Sequence, residues 1–398
     1  MSRRVYYWVD ILGMSFLSRS ILFICLLAVF ALTAPLVFLY MQGYRIDFEA
    51  KKVVKTGGLY FKISPRDAQI SFDGKEAVKT DFLFGAKLID NLLPKEHELL
   101  VEKSGYWPWQ KNLKVREEQV VEIKNILLIP KDINFTILAK NAAELWGENQ
   151  KIVYKESSAS SDKGKSQILY TFDPQTGSIT YSVPKAQPAG KKEVPLLPAS
   201  QTIFYQKQGS DIYYLDPLGW LYKTNESLEQ KIKINETAIA IVPKAKYELW
   251  LFESFTFLRQ DNTVYLLDPG SKTFEKFFET LSEIEISPDG QKMLYFSDSE
   301  IQILFLKDKE DEPLKKAGDK IVLVRLSDKI TDAVWLNSHY IIFSAGSKIK
   351  AAEIDDRDKI NIVTISNLPA KKLVFLSSDK KLYLLSETTL YSSDKIIQ

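Results

Sequence analysis

The chain of 398 residues has room for two or three domains, and its 53 basic residues nearly balance its 51 acidic residues. These charges are mixed along the sequence and form no basic patch, so we expect no nucleic-acid partner. The single cysteine, Cys25, rules out an intrachain disulfide, and the fold must therefore rely on core burial.

An apolar segment comes first in chain order. No charged residue occurs between Arg19 and Arg45, and residues 21–40 are mostly apolar. Such a run is long enough to cross about 30 Å of hydrocarbon as a helix. The predicted segments are a cytoplasmic tail over 1–19, a transmembrane helix over 20–44 whose partner is the lipid bilayer, and a linker over 45–56.

We expect this helix to stay uncleaved and to anchor a single-pass cell-membrane protein. The apolar run exceeds the roughly 7–15 residues of a signal-peptide core, and Ile24 is not the small residue that a lipoprotein signal needs before Cys25. Basic residues flank both sides, so their count leaves the orientation open. A short basic tail usually remains in the cytoplasm, which predicts extracytoplasmic C-terminal domains. The alternative is the reverse topology, with a cytoplasmic scaffold.

Short β-strands are predicted next. Leu59, Phe61 and Ile63 alternate with polar residues, as a half-buried strand requires. The Asp73-Gly74 pair supplies the positive-φ residues of a tight hairpin turn. Residues 57–130 are therefore predicted to form a small β-sandwich, close to the lower size limit of an independent core. Further strands are predicted at Leu99 and Val101, at Leu113 and Val115, and at Val121 and Ile123.

Several motifs follow one another in this region in a distinctive order. They are Gly57-Gly58-Leu59 with Ser64-Pro65, Ala68, Asp73-Gly74-Lys75, Asn91-Leu92-Leu93-Pro94, His97-Glu98-Leu99-Leu100-Val101 and Gly105-Tyr106. Together they resemble a PEGA domain, a small β-module common on bacterial and archaeal cell surfaces. The resemblance implies an envelope protein that associates with cell-wall polymer, a surface layer or other envelope proteins.

One pattern recurs through the C-terminal two-thirds of the chain. Each copy has an apolar residue, a short polar turn and an apolar strand that usually contains an aromatic residue. The copies lie roughly 40–50 residues apart, which is the length of a four-stranded propeller blade. The six copies are Ile152–Tyr154, Thr202–Tyr205, Leu249–Phe252, Met293–Phe296, Tyr340–Phe343 and Leu382–Leu385.

Asp-Pro pairs at 173, 216 and 268 are each predicted to form the turn of an outer blade hairpin. The run from Ser287-Pro288-Asp289-Gly290 to Asp298 resembles the blade motif of WD40-like, TolB-type β-propellers. The predicted chain is thus all-β apart from one transmembrane helix, with a roughly six-bladed β-propeller over 131–398. We expect Ile133–Leu138 to complete the last blade. A β-sandwich or an incomplete propeller is the alternative.

No catalytic, metal or cofactor site is predicted. His97 and His339 are isolated from other ligand residues. Gly164-Lys165-Ser166 has Ala159 where a phosphate-binding loop needs glycine, and a strand follows it. The acidic residues around Asp356 lack the spacing of a calcium loop, so a solvated hairpin turn is favoured over calcium binding. That acidic group consists of Asp355, Asp356 and Asp358.

Trp107 and Trp109 are the candidate binding residues, because two tryptophans after a turn can stack on a sugar or a partner protein. Packing of at least one ring in the core is the alternative. We expect a non-enzymatic membrane-anchored envelope protein that binds an envelope protein or cell-wall polymer. The competing hypothesis is an anchored propeller enzyme, a hydrolase or lyase acting on glycan or peptide, which would need convergent carboxylates in the channel mouth.

Overall fold

The computed structural model describes residues 16–77, 85–156, 168–182 and 202–397. The Gly164-Lys165-Ser166 motif lies outside these ranges. The chain divides into two compact units, and its domain boundaries stay a prediction. Unit 1 comprises residues up to Phe61, Lys87–His97 and Leu113–Ile123, and unit 2 comprises Lys62–Ala86, Glu98–Asn112 and residues from Lys124 onward.

Unit 1 begins with helix α1, which spans Phe16–Met41 and contains Pro35. Its segment Leu17–Met41 is long and apolar enough to cross a membrane, and none of its most apolar window is buried in the protein. The helix starts a few residues before the predicted span does. It also ends a few residues earlier than predicted, because Gln42 and Gly43 turn the chain into a strand. Its orientation in a membrane stays a prediction.

The predicted linker forms an antiparallel hairpin of strands β1 (Tyr44–Asp47) and β2 (Lys52–Lys55). Seven strands follow it and form one sheet in the order β6-β3-β9 and another in the order β5-β4-β7-β8. They are β3 (Gly57–Ser64), β4 (Gln69–Phe72), β5 (Lys75–Ala77), β6 (Ala86–Leu92), β7 (Glu96–Glu102), β8 (Trp109–Lys114) and β9 (Val120–Leu127).

The local predictions for residues 57–130 are confirmed where they concern strands and turns. Leu59, Phe61 and Ile63 are buried in β3, as their alternation requires. Asp73 and Gly74 have φ values of 49° and 70°, so both central residues of the β4–β5 turn are left-handed. The sequence therefore predicts local geometry well in this region.

The rest of unit 2 contains six four-stranded sheets in the described residues. Sheets 1 to 5 have their strands in chain order, and sheet 6 has the order β10-β33-β32-β31. Sheet 1 is β11 (Ala142–Glu148), β12 (Lys151–Glu156), β13 (Leu169–Asp173) and β14 (Ser178–Ser182); sheet 2 is β15 (Phe204–Gln208), β16 (Asp211–Leu215), β17 (Leu221–Asn225) and β18 (Ile232–Lys233); sheet 3 is β19 (Tyr247–Leu251), β20 (Thr256–Gln260), β21 (Thr263–Leu267) and β22 (Phe274–Phe278). Sheet 4 is β23 (Glu283–Ile286), β24 (Lys292–Phe296), β25 (Glu300–Phe305) and β26 (Lys320–Arg325); sheet 5 is β27 (Ile330–Asn337), β28 (Tyr340–Ala345), β29 (Lys348–Glu353) and β30 (Ile362–Ser366); sheet 6 is β31 (Lys372–Leu376), β32 (Lys381–Ser386), β33 (Thr389–Lys395) and β10 (Phe135–Ala139).

Neighbouring sheets contact one another in a propeller-like series. Hydrophobic clusters join sheets 2 and 3, 3 and 4, 4 and 5, 5 and 6, and 6 and 1. The first strands β11 and β31 contact each other, as do β27 and β31. The early strand β10 pairs with β33, so the two ends of this region are tied together. The prediction that residues 133–138 complete the last sheet is confirmed.

The recurring pattern marks equivalent strands in only four of the six sheets. In sheets 1, 4, 5 and 6 it marks the second strand, whereas Tyr205 and Trp250 lie in first strands, β15 and β19. The first strands β15 and β19 carry apolar and aromatic residues as the second strands do, so an apolar pattern cannot distinguish them. This part of the predicted repeat alignment was wrong.

The Asp-Pro turns are confirmed. Asp173 accepts a hydrogen bond from the backbone N of Gln175 at 2.9 Å, and Asp268 accepts one from Gly270 at 3.1 Å. Both turns join the third and fourth strands of their sheets, as predicted for outer hairpins. Asp216 differs, because its turn joins β16 and β17, the second and third strands of sheet 2.

A fully buried lysine links β8 to the segment that follows β29. The side chain of Lys111 has no solvent exposure, and its Nζ lies 2.8 Å from the Glu353 carboxylate, which is itself 4% exposed. The same ammonium donates to the carbonyl oxygens of Asp355, Arg357 and Lys359 at 2.6, 2.8 and 3.0 Å. Burial raises the pKa of Glu353, and the charge of Lys111 opposes that rise.

We predict that Lys111→Met lowers the free energy of unfolding by about 3–5 kcal/mol, because it leaves the buried Glu353 carboxylate without its counter-charge. The matched control is Lys124→Met, since Lys124 forms an exposed ion pair with Asp311, with side chains 40% and 69% exposed. That change should cost about 0–1 kcal/mol. Denaturant unfolding of the full-length chain in detergent measures both values.

The double variant Lys111→Met with Glu353→Gln should be more stable than Lys111→Met alone, because it no longer buries an unpaired charge. Equal losses for Lys111→Met and Lys124→Met would contradict the assignment of Lys111 as a buried structural cation.

Candidate functional site

A cavity of about 400 Å³ opens among the first strands of sheets 1, 4, 5 and 6. Charged side chains from several of these strands converge there. The lining residues that matter for its chemistry are Trp146, Glu148, Glu283, Glu285, Trp335 and Lys372. A larger hollow of about 620 Å³ is lined mostly by exposed side chains near β4 and β7, without comparable buried charges.

Lys372 connects three sheets at the wall of this cavity. It begins β31 in sheet 6, and its Nζ lies 2.6 Å from Glu283 of sheet 4 and 3.2 Å from Asp332 of sheet 5. Asp332 is 1% exposed, and its second oxygen accepts a hydrogen bond from the backbone N of Leu373 at 2.6 Å. One cation therefore holds two carboxylates from different strands.

Glu285 provides a second link between sheets 4 and 5. Period-2 alternation in β23 places Glu285 on the same face as Glu283, opposite Ile284, which packs into the cluster with sheet 3. The Glu285 carboxylate accepts a hydrogen bond from the backbone N of Trp335 at 3.0 Å, and the Glu285 carbonyl oxygen accepts one from the Trp335 indole at 3.3 Å.

These environments displace the pKa values of the charged groups. Burial raises the pKa of Glu285 to about 7, although the hydrogen bond from Trp335 opposes the rise. Burial also raises the pKa of Asp332 to about 6, against the lowering effect of Lys372. For Lys372, burial favours the neutral amine, but the charge of Asp332 and the hydrogen bond to Glu283 outweigh it and raise the pKa.

The β11–β12 hairpin forms one side of the cavity. A Cβ atom at Gly147 would lie 2.9 Å from Val374 of β31, so glycine permits the close approach of these two first strands. Gln150 accepts a hydrogen bond from the backbone N of Ser378 at 3.2 Å, which also ties sheet 1 to sheet 6. The hairpin leaves Trp146 half-buried and Glu148 exposed at the cavity.

This arrangement can hydrogen-bond and stack on a polar ligand. Carboxylates accept from hydroxyl or N–H groups, Lys372 donates, and the half-buried ring of Trp146 offers an apolar surface. In the part of the chain that the structure describes, no group of three His, Cys, Asp or Glu residues is arranged to hold a metal ion. The chemistry of the cavity is thus that of carboxylates, one amine and indole rings.

The two predicted binding tryptophans lie elsewhere. Trp109 is 3% exposed, and its indole donates to Glu353 at 2.7 Å. Trp107 is partly buried against the cluster of sheets 5 and 6, and its indole nitrogen has no hydrogen-bond partner among the described residues. A role for these rings in binding a glycan or a partner stays a prediction.

The other candidate residues have structural contacts. His97 is buried, and its Nε2 lies 2.8 Å from the Leu93 carbonyl oxygen. Burial lowers the pKa of His339 to about 4. In the acidic group, Asp358 accepts a hydrogen bond from the backbone N of Asn112 at 2.7 Å, and Asp356 pairs with Lys315. The segment joins the antiparallel strands β29 and β30 with Asp356 and Asp358 exposed, as expected of a solvated hairpin turn, and its backbone carbonyl oxygens accept hydrogen bonds from the Lys111 ammonium.

No sequence motif indicated Glu283, Glu285, Asp332 or Lys372 as site residues. The sequence does contain one signal of these residues, which is a charged residue inside an otherwise apolar strand, as in Glu283-Ile284-Glu285-Ile286. Such a residue implies a buried partner or a lined cavity. The signal becomes specific only when the first strand of each sheet is known, and the repeat pattern did not distinguish first from second strands.

No family model matches the chain, and no curated protein is significantly similar to it in sequence. Solved structures with some likeness include YCF48 bound to D1 peptide, at 11% identity and a TM-score of 0.30, over 84% of this chain and 94% of that chain. Kluyveromyces lactis Hsv2 has 9% identity and a TM-score of 0.34, and the match covers 65% of this chain and 76% of that chain. A gluconolactonase from Xanthomonas campestris has 12% identity and a TM-score of 0.34, over 66% and 89%.

Structural similarities this weak give no evidence about the function of this chain. One of the three proteins is named with a bound peptide and another as an enzyme, so they do not separate binding from catalysis. The propeller-like arrangement of this chain rests on its own sheets, clusters and the pairing of β10 with β33.

The raised pKa of Glu285 predicts a pH-dependent stability. The folded state holds the Glu285 proton up to about pH 7, whereas the unfolded chain releases it near its ordinary value of 4.5. The folded state therefore binds more protons in this window, and the free energy of unfolding falls as pH rises through it. For Glu285 alone the fall is of the order of 3 kcal/mol.

Glu285→Gln should reduce this dependence when unfolding free energies at pH 5 and pH 7.5 are compared, and the part that remains is due to Asp332, whose pKa is raised to about 6. The control is Glu279→Gln, because Glu279 pairs with Lys276 on the surface and should leave the wild-type slope unchanged. A wild-type slope in Glu285→Gln would show that Glu285 does not titrate in this range.

Proposed function

We propose that this chain is a single-pass, membrane-anchored binding protein of the cell envelope. In this proposal α1 is the anchor, the PEGA-like region is a spacer, and the six sheets are the blades of a six-bladed β-propeller. The propeller binds a cell-surface polymer or a protein partner without chemical turnover. The C-terminal domains lie outside the cytoplasm, where such partners occur.

The observation that carries the proposal is the convergence of Glu283, Glu285, Lys372 and two tryptophans on one cavity of about 400 Å³. Ligand sites are commonly concave and combine apolar surface with a few polar groups that fix orientation. The first strands of four sheets supply this lining, and their positions are fixed by hydrogen bonds and ion pairs between sheets. A pre-formed site of this kind suits binding.

Photo-crosslinking in native envelopes tests the proposal. A benzophenone amino acid replaces Glu148, which is exposed at the cavity, and the matched control replaces Thr176, which is exposed in the β13–β14 turn of the same sheet. We expect a specific adduct with an envelope polymer or protein at position 148 and none at position 176. Equal adducts at both positions, or none at position 148, would contradict binding at the cavity.

A second candidate is an anchored hydrolase or lyase that acts on glycan or peptide. It is favoured by one observation, the raised pKa of Glu285 in the same cavity as Glu283, which is paired with Lys372. A carboxyl group with a raised pKa near a second carboxyl group is the arrangement of a general acid with a base or nucleophile.

Turnover distinguishes the two candidates. The binding proposal predicts that the wild-type chain releases no product from purified cell-wall polymer or envelope peptide. The enzyme candidate predicts wild-type turnover that falls by about 10²-fold or more in Glu285→Gln and is unchanged in Glu279→Gln. Wild-type turnover with that loss would overturn the binding proposal.

A further inference from the structure

The β1–β2 hairpin follows the apolar helix almost directly. Helix α1 ends at Met41 and β1 begins at Tyr44, so three residue steps separate them. Three steps of extended chain span at most about 10 Å. The start of the hairpin is therefore confined to the immediate neighbourhood of the helix end.

Arg45 holds the hairpin against the last turn of the helix. Its guanidinium lies 3.5 Å from the centroid of the Tyr40 ring, and Nη1 donates to the Tyr40 carbonyl oxygen at 2.8 Å. Nη2 donates to Asn91 at 2.8 Å. One side chain of β1 thus contacts both the helix end and β6, which limits the movement of the hairpin relative to the helix.

The hairpin has a buried inner face and an outer face that is apolar although it is exposed. Val54 is 2% exposed on the inner face. On the outer face Ile46 and Val53 lie opposite each other and are 58% and 61% exposed. Phe48, the residue after β1, is 83% exposed. An outer face in water would normally carry polar residues at such positions.

Basic residues border this apolar face. Lys51 and Lys52 are exposed in and after the turn that Phe48 begins. Asp47 is buried, and its carboxylate accepts hydrogen bonds from the backbone N of Glu49 and Ala50 at 3.0 and 2.9 Å, which fixes the turn. Glu49, the exposed acidic residue of this turn, pairs with Lys95 at 3.3 Å. The combination of apolar side chains with adjacent lysines matches a bilayer interface containing anionic phospholipid.

We propose that the outer face of the β1–β2 hairpin lies in the headgroup region of the same bilayer that α1 crosses. Ile46, Phe48 and Val53 enter the boundary between headgroups and acyl chains, and Lys51 and Lys52 meet lipid phosphates. The inference rests on the proposed membrane span of α1. It makes the hairpin a second membrane contact that fixes the angle at which the extramembrane chain leaves the bilayer.

Depth-dependent fluorescence of the full-length chain in nanodiscs tests this inference. In a Cys25→Ala background, a single cysteine carrying an environment-sensitive dye is placed at Phe48. A cysteine at Val29, within α1, reports insertion of the helix, and one at Leu218, which is 73% exposed between β16 and β17, reports a water-exposed apolar position. Nitroxide lipids labelled near the headgroup or deep in the acyl chain act as quenchers.

The dye at position 48 should show blue-shifted emission and be quenched most by the shallow nitroxide, at a depth of about 5–10 Å. The dye at Val29 should be quenched by the deep nitroxide, and the dye at Leu218 by neither. Lys51→Glu with Lys52→Glu should reduce the blue shift at position 48 in anionic nanodiscs, with a smaller effect in neutral ones.

The outcomes separate this inference from the proposed anchor. Deep quenching at Val29 with water-like emission at position 48 overturns the hairpin contact and leaves the anchor intact. Loss of deep quenching at Val29 overturns the anchor itself. A blue shift at position 48 that depends on protein concentration and resists lipid quenching means that a second copy of the chain covers the face, which also overturns the inference.

Discussion

The structure depends on a cation that has no access to water. The Lys111 ammonium lies against Glu353 and three backbone carbonyl oxygens, and removing a charge from water costs several kcal/mol unless its partners are complete. Glu353 also accepts hydrogen bonds from Trp109 and Asn361, so its position is fixed from several sides. Because Lys111 needs all of these partners, β8 stays against Glu353 and the segment that follows β29 in sheet 5. Sheet 5 in turn shares its hydrophobic clusters with sheets 4 and 6, whose first strands line the cavity.

Charge plays a different part within the cavity. Lys372 and its two carboxylates join the first strands of three sheets, where close-packed apolar side chains would have closed the space. The network thus holds the sheets in place and leaves polar groups facing an open volume. Because Glu285 has a pKa of about 7, the charge of this volume changes near neutral pH. Both the binding proposal and its enzymatic rival rely on the same carboxylates, and only turnover distinguishes them.

Local features of this fold could be predicted, and long-range ones could not. The Asp73-Gly74 turn and the alternation around Phe61 depend on neighbouring residues, so the sequence predicts them directly. Lys111 lies in phase with buried residues of β8, and this position was an unused sign of a buried charge. The cavity residues were harder to find, because Glu283 and Lys372 are distant in sequence and meet only when first strands come together. An apolar pattern reports burial but not the place of a strand within its sheet.

The most direct test of the account is thiol labelling at the cavity in intact cells. A Glu148→Cys variant in a Cys25→Ala background is treated with a membrane-impermeant reagent, and Thr176→Cys serves as the reference on the same sheet. We expect both to react in intact cells, with labelling at position 148 slower there than in the purified protein because an envelope partner covers the cavity. Labelling only after lysis would contradict an outward-facing site. A ratio of the labelling rate at position 148 to that at position 176 that is the same in cells and in the purified protein would contradict an occupied site.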